Sequence, residues 1–223
     1  MRRRLALAPT LVALLVAACH GETTPAATTT LATTVVKSSS CAKVRQPKPH
    51  RPGVLKPPTT RLDPSKRWLL TFRTSCGTFV VLLQPKTSPH ATASLVALAR
   101  RGYFDGTVFH RIVPGFVIQG GDPTQTGTGG PGYTTVDTPK ATTRYLRGDV
   151  AMAKTSIEPR GAAGSQFFVM TADAPLPPDY AVVGRVVAGA GVVQRVGKLG
   201  DRADPNGTPT QVVVIDRITV GTR

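Results

Sequence analysis

Residues 103–123 of this chain read YFDGTVFHRIVPGFVIQGGDP. The pair Asp105 and Gly106 is typical of a tight turn that returns the chain to a strand, predicted over 108–113. Breaker residues are frequent throughout, because the 223 residues include 22 Gly and 20 Pro. This composition disfavours a helical bundle and favours a β-rich domain with many turns.

Further strands and two helices are predicted on both sides of this stretch. Residues 68–72 and 77–83 are apolar runs separated by a short polar segment, so they predict a hairpin. Ser88 and Pro89 resemble a helix N-cap and first helical residue, and the apolar spacing predicts a helix ending at Gly102. Later apolar runs predict three strands at 147–153, 166–170 and 181–187. A second helix is predicted over 192–199 and a closing strand over 211–220. Many short strands with two helices fit a closed β-barrel with capped ends.

Two long motifs, in order, carry a resemblance to a known family. The first is FHRIVPGFVIQGGD at 109–122, and the second is GSQFF at 164–168. With the glycine-rich residues 126–132, they resemble the cyclophilin-type peptidyl-prolyl cis/trans isomerases. The resemblance extends from about residue 67 to residue 220 and implies a mainly β fold for the domain 66–223. The implied fold is a closed eight-stranded antiparallel β-barrel capped by two α-helices, with the active groove on one outer face.

The resemblance also implies an activity, which is rotation about X-Pro peptide bonds without any cofactor. Arg111 matches the family's catalytic arginine, and Phe116 and Gln119 match residues that act beside it. The remaining matches are substrate-binding positions that line the groove: Val117, Ala153, Lys154, Gln166, Phe168, Leu176 and Tyr180.

Three positions depart from the family pattern. Lys154 stands where the family usually has Asn, and Tyr180 stands where many members have His. Pro175 replaces a tryptophan that contributes to cyclosporin binding in the family. We expect activity to survive, because a tyrosine still offers an apolar wall and a hydroxyl.

The N-terminus is predicted to be an export signal. Arg2, Arg3 and Arg4 precede a short apolar stretch that ends in Ala17-Ala18-Cys19. This ending resembles a bacterial lipobox, so residues 1–18 are predicted to be a lipoprotein signal peptide and Cys19 the lipidated residue. Residues 19–65 are rich in Thr, Ala, Pro and Lys, a composition that predicts a disordered stalk.

Cys41 and Cys76 remain as an even pair in an exported chain. The oxidising compartment and the even number favour a disulfide between them, and two free thiols are the alternative. No Cys-x-x-Cys motif or paired histidine spacing is present, so no metal site is expected. The formal net charge is +16, but no basic run is longer than residues 2–4, so no specific nucleic-acid partner is expected.

The resulting hypothesis is a monomeric isomerase, anchored by lipid to the extracytoplasmic face of the cell membrane, that accelerates folding of proline-containing exported polypeptides. The alternative belongs to another class: a non-catalytic proline-peptide-binding or chaperone module of the cell envelope. Both would use the same groove, and Arg111 with its apolar pocket favours the enzyme.

Overall fold

The computed structural model describes residues 40–51 and 53–223. The predicted signal peptide 1–18 and the predicted lipidation site Cys19 lie outside the described residues. Within the part that is described, neither helix is long and apolar enough to cross a bilayer.

The described residues form eleven strands and two helices, as the mainly β prediction required. The elements, in chain order, are β1 Trp68–Thr74, β2 Gly77–Leu83, α1 Pro89–Arg100, β3 Thr107–Val108, β4 Arg111–Val113, β5 Val117–Gly120, β6 Thr135–Val136, β7 Asp149–Met152, β8 Ala162–Ala163, β9 Phe167–Met170, β10 Val182–Ala188, α2 Ala190–Gly197 and β11 Val214–Thr222. The predicted hairpin is β1–β2, and the two predicted helices are α1 and α2.

Nine strands form one antiparallel sheet in the order β3-β11-β1-β2-β10-β7-β9-β5-β4, and β6 pairs with β8 separately. This differs from the expected closed ring of eight strands. The strand predicted over 108–113 is divided at Phe109 and His110 into β3, which pairs with β11, and β4, which pairs with β5. The two edge strands of the curled sheet are therefore consecutive pieces of one stretch of chain, and they are not paired with each other.

Side chains alternate between the two faces of this sheet and form two apolar clusters. In β9, Phe167 and Val169 belong to the main core, while Phe168 and Met170 belong to a second cluster on the opposite face. The main core also receives side chains from both helices. The sheet thus has a filled inner face and an outer face that carries its own apolar patch.

The first turn of α1 is held by a carboxylate from far along the chain. Ser88 occupies the predicted N-cap position, but its hydroxyl donates to the Val182 carbonyl at 2.7 Å rather than capping the helix. The Asp137 carboxylate accepts instead from the backbone N–H of His90 at 3.0 Å and of Ala91 at 2.7 Å. This contact anchors the helix to the segment that contains β6.

The segment that precedes the sheet lies against the domain, which differs from the disordered stalk predicted for 19–65. We call residues 41–51 and 53–55 the strap. Cys41 is bonded to Cys76 in a disulfide, and the Ala42 N–H donates to the Ser75 carbonyl at 2.8 Å. Leu55 packs on the main core. The strap has no helix or strand, but covalent and hydrogen bonds fix its course.

Candidate active site

An apolar groove runs over the outer face of the sheet, where β5, β7 and β9 lie side by side. Its buried floor includes Val117 and Phe168, and the half-buried side chains at its edges are Val113, Phe116, Ala153, Ala174, Leu176 and Tyr180. The aromatic rings of Phe168 and Tyr180 meet edge to face, with centroids 5.4 Å apart. The groove offers a small apolar ring a place to bind on a rigid sheet.

Arg111 lies at one side of this groove, on β4, directly opposite Gln119 of β5. Its Nε donates to the Asn206 carbonyl at 3.1 Å, and one terminal nitrogen, Nη1, lies 3.5 Å from Gln119 Oε1. Its other terminal nitrogen, Nη2, has no hydrogen-bond partner among the described residues. The guanidinium is therefore held from two sides and keeps donors for a ligand.

The turn that holds Arg111 is tight. The Asp204 carboxylate accepts from the backbone N–H of Asn206 at 2.8 Å and from that of Thr208 at 3.2 Å. Gly207 has a φ of +80°, and its carbonyl accepts from the Ile112 N–H at 2.8 Å. These bonds hold the turn in contact with the strand that carries Arg111.

A chain of amides continues from Arg111 across the floor. Gln119 Nε2 donates to Gln166 Oε1 at 3.1 Å, and Gln166 Nε2 donates to the carbonyls of Gly127 at 2.9 Å and Gly129 at 3.0 Å. The two glutamines are thus fixed between the arginine and residues 123–132, which we call the glycine-rich loop. Fixed amides of this kind can orient the backbone of a bound peptide.

The glycine-rich loop is built around the buried Asp122. Its carboxylate accepts from the backbone N–H of Thr124, Thr126, Gly127 and Gly129 at 2.6–3.1 Å. Burial favours the neutral acid, but the bonds from Thr124, Gly129 and Gly127 outweigh it and lower the pKa of Asp122. The aspartate is therefore an internal template for the loop.

A cavity of about 600 Å³ opens on the far side of the glutamine pair. Gln119, Gln166 and Ala153 line both the cavity and the groove region, and the glycine-rich loop forms much of its wall. Lys154 lines it too, although its ammonium donates to the carbonyls of Thr155 at 2.9 Å and Glu158 at 3.0 Å. A peptide bound in the groove can therefore extend a neighbouring residue into this space.

The structure brings together every candidate residue that it describes. Six apolar or aromatic candidates border the groove: Phe116, Val117, Ala153, Phe168, Leu176 and Tyr180. The Lys154 ammonium lies 5.9 Å from the Tyr180 ring centroid. Arg111, Gln119 and Gln166 form the polar chain along it.

Sequence reasoning missed several residues that shape the site. The buried Tyr145 hydroxyl donates to the Tyr180 carbonyl and accepts from the Tyr180 N–H, each at 2.9 Å, so it fixes that wall. Asp122 stands in the first motif, but it acts through bonds from backbone N–H groups, and Asn206 contributes only its backbone carbonyl, which accepts from Arg111. Periodicity and composition carry no signal for such contacts.

His110 lies beside Arg111 in the first motif, and the family resemblance assigns no role to it. Both of its ring nitrogens are buried, next to the Gln166 side chain. Burial lowers the pKa of His110, the nearby Asp122 charge opposes this, and the Arg111 charge adds to it. The imidazole is therefore neutral at neutral pH.

Comparison with known proteins agrees with this geometry. The sequence model of the family described as cyclophilin type peptidyl-prolyl cis-trans isomerase/CLD matches residues 69–220. The chain belongs to the cyclophilin family of peptidyl-prolyl cis-trans isomerases. The isomerase activity expected from the sequence is thereby confirmed at the level of the family.

Relatives of this cyclophilin occur in distant organisms. A peptidyl-prolyl cis-trans isomerase of Helicobacter pylori is 36% identical over 55% of this chain and 74% of the relative. Isomerase CYP18-2 of Arabidopsis thaliana is 36% identical over 68% of this chain and 92% of the relative. A Cryptosporidium parvum cyclophilin, crystallised in the presence of the dipeptide Ala-Pro, has a TM-score of 0.63 and 30% identity, covering 70% of this chain and 99% of its own. The mainly β cyclophilin fold with two helices is therefore confirmed.

Among residues 40–51 and 53–223, no group of three His, Cys, Asp or Glu side chains is placed to hold a metal ion. The chemistry that the site can supply is hydrogen bonding from a fixed cation, beside an apolar surface.

Proposed function

We propose that this cyclophilin accelerates X-Pro rotation in exported polypeptides, with Arg111 as the catalytic donor and the groove around Phe168 as the proline site. The observation that carries the proposal is the Arg111 guanidinium, held from two sides at the edge of an apolar groove. The rotation forms and breaks no covalent bond, so it needs neither a nucleophile nor a proton carrier.

The reaction is a rotation about a partial double bond, with an uncatalysed barrier of about 18–20 kcal/mol. In the twisted state the amide loses resonance, so the prolyl nitrogen becomes a hydrogen-bond acceptor. A donor placed at that nitrogen stabilises the twisted state more than the planar one, which lowers the barrier. The planar guanidinium of Arg111 carries such donors in a fixed fork.

The other groove residues have supporting roles in this proposal. Val117, Phe168 and Leu176 hold the proline ring, because an apolar surface binds the ring without competing hydrogen bonds. Gln119 and Gln166 orient the peptide backbone, and Tyr180 with Lys154 closes one end. The Ala-Pro dipeptide named with the Cryptosporidium parvum relative is a ligand of the same class.

The test compares the native protein with Arg111→Ala and Arg111→Lys in an NMR exchange or protease-coupled assay on Ala-Pro peptides. Loss of a fixed donor from a catalytic site typically costs about 10²–10³ in rate, and lysine keeps the charge without the fork. We therefore expect a collapse in Arg111→Ala and a partial loss in Arg111→Lys. Arg144→Ala, which changes an exposed arginine, serves as the matched control. Full activity in Arg111→Ala would overturn the role, and peptide binding without turnover in the native protein would favour the non-catalytic module.

The exported setting is also a proposal, with a lipid anchor at Cys19 on the extracytoplasmic face of the membrane. It is supported by the N-terminal sequence and by the Cys41–Cys76 disulfide, since disulfides persist in oxidising compartments. Acyl labelling of cells that express the native chain or Cys19→Ala tests it. We expect label and membrane retention in the native chain alone; equal labelling of both would contradict the anchor.

We further propose that the sheet closes into an eight-stranded barrel, with 107–113 counted as one interrupted strand. The Phe109 N–H donates to the Val213 carbonyl at 3.0 Å, which supports continuation of the β3 edge toward β4. Slow amide exchange at Phe109 would be expected for a closed barrel, and rapid exchange there would argue for an open edge.

A further inference from the structure

The strap lies against the outer side of the glycine-rich loop, which forms the wall of the 600 Å³ cavity. Three of its backbone N–H groups donate to loop carbonyls: His50 to Pro123 at 2.7 Å, Gly53 to Gly130 at 2.9 Å and Leu55 to Pro131 at 2.8 Å. These three bonds hold the two segments at a defined distance from each other.

A side-chain clasp adds to these backbone bonds. Gln46 Nε2 donates to Gln125 Oε1 at 2.7 Å, and Gln125 Nε2 donates to the Pro47 carbonyl at 3.2 Å. Gln125 is the one non-glycine residue of the described chain with a positive φ, at 63°. A left-handed backbone at a glutamine persists only where its surroundings hold it, and here the strap supplies the partners.

The loop therefore has two separate sets of anchors. On the inner side, Asp122 and Gln166 hold Gly127 and Gly129 next to the catalytic amides. On the outer side, the strap holds the loop at its two ends and at Gln125. The inner anchors do not involve the strap directly, and the strap is connected to Gln119 and Arg111 only through the loop and Gln166.

Gly53 is where the strap reaches the cavity itself. It is one of the lining residues, and a Cβ added to it would meet the backbone of Pro131 at 3.0 Å. The contact is tight in both directions, because a Cβ on Gly132 would meet the Gly53 carbonyl oxygen at 2.5 Å. A side chain at residue 53 would therefore push the strap and the loop apart.

We propose that the strap is a specificity element of the isomerase: by fixing the outer wall of the cavity, it selects which residues flanking the proline a substrate can carry. The proposal rests on the peptide groove of the proposed function. Small flanking residues do not fill the cavity and are insensitive to its wall. Large flanking side chains contact the wall, so their reaction rates depend on the strap.

The experiment measures kcat/KM of the full-length protein on a panel of peptides that share one proline and differ at the flanking positions, from Ala to Leu, Phe, Lys and Glu. Three proteins are compared: native, Gly53→Ala and Gln46→Ala. We expect Gly53→Ala to change the ratio between large and small flanking residues by about three- to tenfold, within the range that pocket contacts give. Gln46→Ala, which removes only an exposed side chain of the clasp, should shift the ratio in the same direction by less. The smallest peptide should react at the native rate in all three.

Val54→Ala is the matched control, because Val54 is the neighbouring strap residue and is 95% exposed. It should leave the whole panel unchanged. An unchanged ratio in both Gly53→Ala and Gln46→Ala, with native activity on the smallest peptide, would overturn the strap's role while leaving the isomerase proposal intact. Equal loss on every peptide would also overturn it, because the effect would then lie in the groove. If Gly53→Ala fails to fold, the surface variant Gln46→Ala decides alone.

Discussion

At the scale of single residues, the reactivity of the site depends on how firmly the Arg111 fork is held. A flexible arginine would have to be ordered in every catalytic cycle, which costs side-chain entropy. Here the Asn206 carbonyl and Gln119 order it in advance. The least replaceable residue in this arrangement carries no side chain: a Cβ on Gly207 would meet Arg111 Cγ at 3.1 Å and Val113 Cγ2 at 2.7 Å.

Gly207→Ala is therefore expected to lower kcat about tenfold or more with a smaller effect on peptide affinity, because it displaces the guanidinium and, within the apolar groove, only the edge residue Val113. Steady-state kinetics on an Ala-Pro peptide, with KM and kcat resolved, checks this. Gly148→Ala is a matched control: Gly148 also has a positive φ, 90°, but a Cβ there meets nothing within 4 Å. Equal effects of the two substitutions would mean that backbone strain alone, and not contact with Arg111, is responsible.

His110 makes the stability of the domain sensitive to pH. Its pKa in the folded protein lies below the ordinary value of 6.5, chiefly because of burial, so the unfolded chain binds a proton more readily. The contribution of His110 to the free energy of unfolding has its full value above pH 6.5. It is lost as the pH falls through the pKa of His110 in the folded protein. Urea unfolding at pH 7.5 and pH 5.5 should show a smaller loss of stability on acidification in His110→Gln than in the native protein. An identical loss in both would assign the dependence to other groups.

At the scale of elements, the sequence predicted those parts whose signal is local. The hairpin, both helices and the later strands follow from apolar runs and breaker residues, and they occur within a few residues of the predicted ends. The division of 108–113 into two strands was missed, because neither glycine nor proline interrupts the stretch at Phe109 and His110 and nothing local marks a change of partner. The short pair β6–β8 was missed as well, since two-residue strands have no periodicity.

The cap of α1 shows the same limit of local signals. Ser88-Pro89 correctly marks where the helix begins, yet the capping carboxylate comes from Asp137, a contact that only the tertiary fold creates. A charge at a helix N-terminus adds to the effect of the hydrogen bonds, because it opposes the helix dipole.

Asp137→Ala should therefore lower the free energy of unfolding by about 1–2 kcal/mol, as loss of a helix N-cap does. Chemical denaturation followed by circular dichroism measures this. Asp201→Ala, which removes an exposed carboxylate bonded only to its own turn, is the control and should have a small effect. A loss in Asp137→Ala no larger than in this control would show that the first turn of α1 does not need the carboxylate.

At the scale of the whole molecule, the candidate site could be predicted from the sequence because its residues are concentrated in two motifs on adjacent strands. The strap could not. Its composition is that of an unstructured chain, rich in proline and basic residues, and composition reports how little apolar surface a segment can bury. What fixes the strap instead is a disulfide and main-chain hydrogen bonds, for which residue types carry little information. The possible Cys41–Cys76 pair was the one feature that connected it to the domain in advance.

The disulfide should be the main restraint on the N-terminal end of the strap, because it joins Cys41 to the fully buried Cys76. Closing a loop of this size typically stabilises a folded protein by about 2–4 kcal/mol. Reduction, or Cys41→Ser, should lower the free energy of unfolding by that amount and release the N-terminal end of the strap from the domain. Its exposed basic residues Lys43 and Arg45, neither of which precedes a proline, should then be cut by trypsin well before the sheet is degraded. Mass spectrometry of a trypsin time course, with and without reductant, measures the order of cleavage.

The reductant should have no effect on the Cys41→Ser protein, which is already cut early. Cleavage of the strap at the same rate in the oxidised and reduced native protein would contradict the prediction, since the hydrogen bonds to the loop would then hold it without the covalent bond.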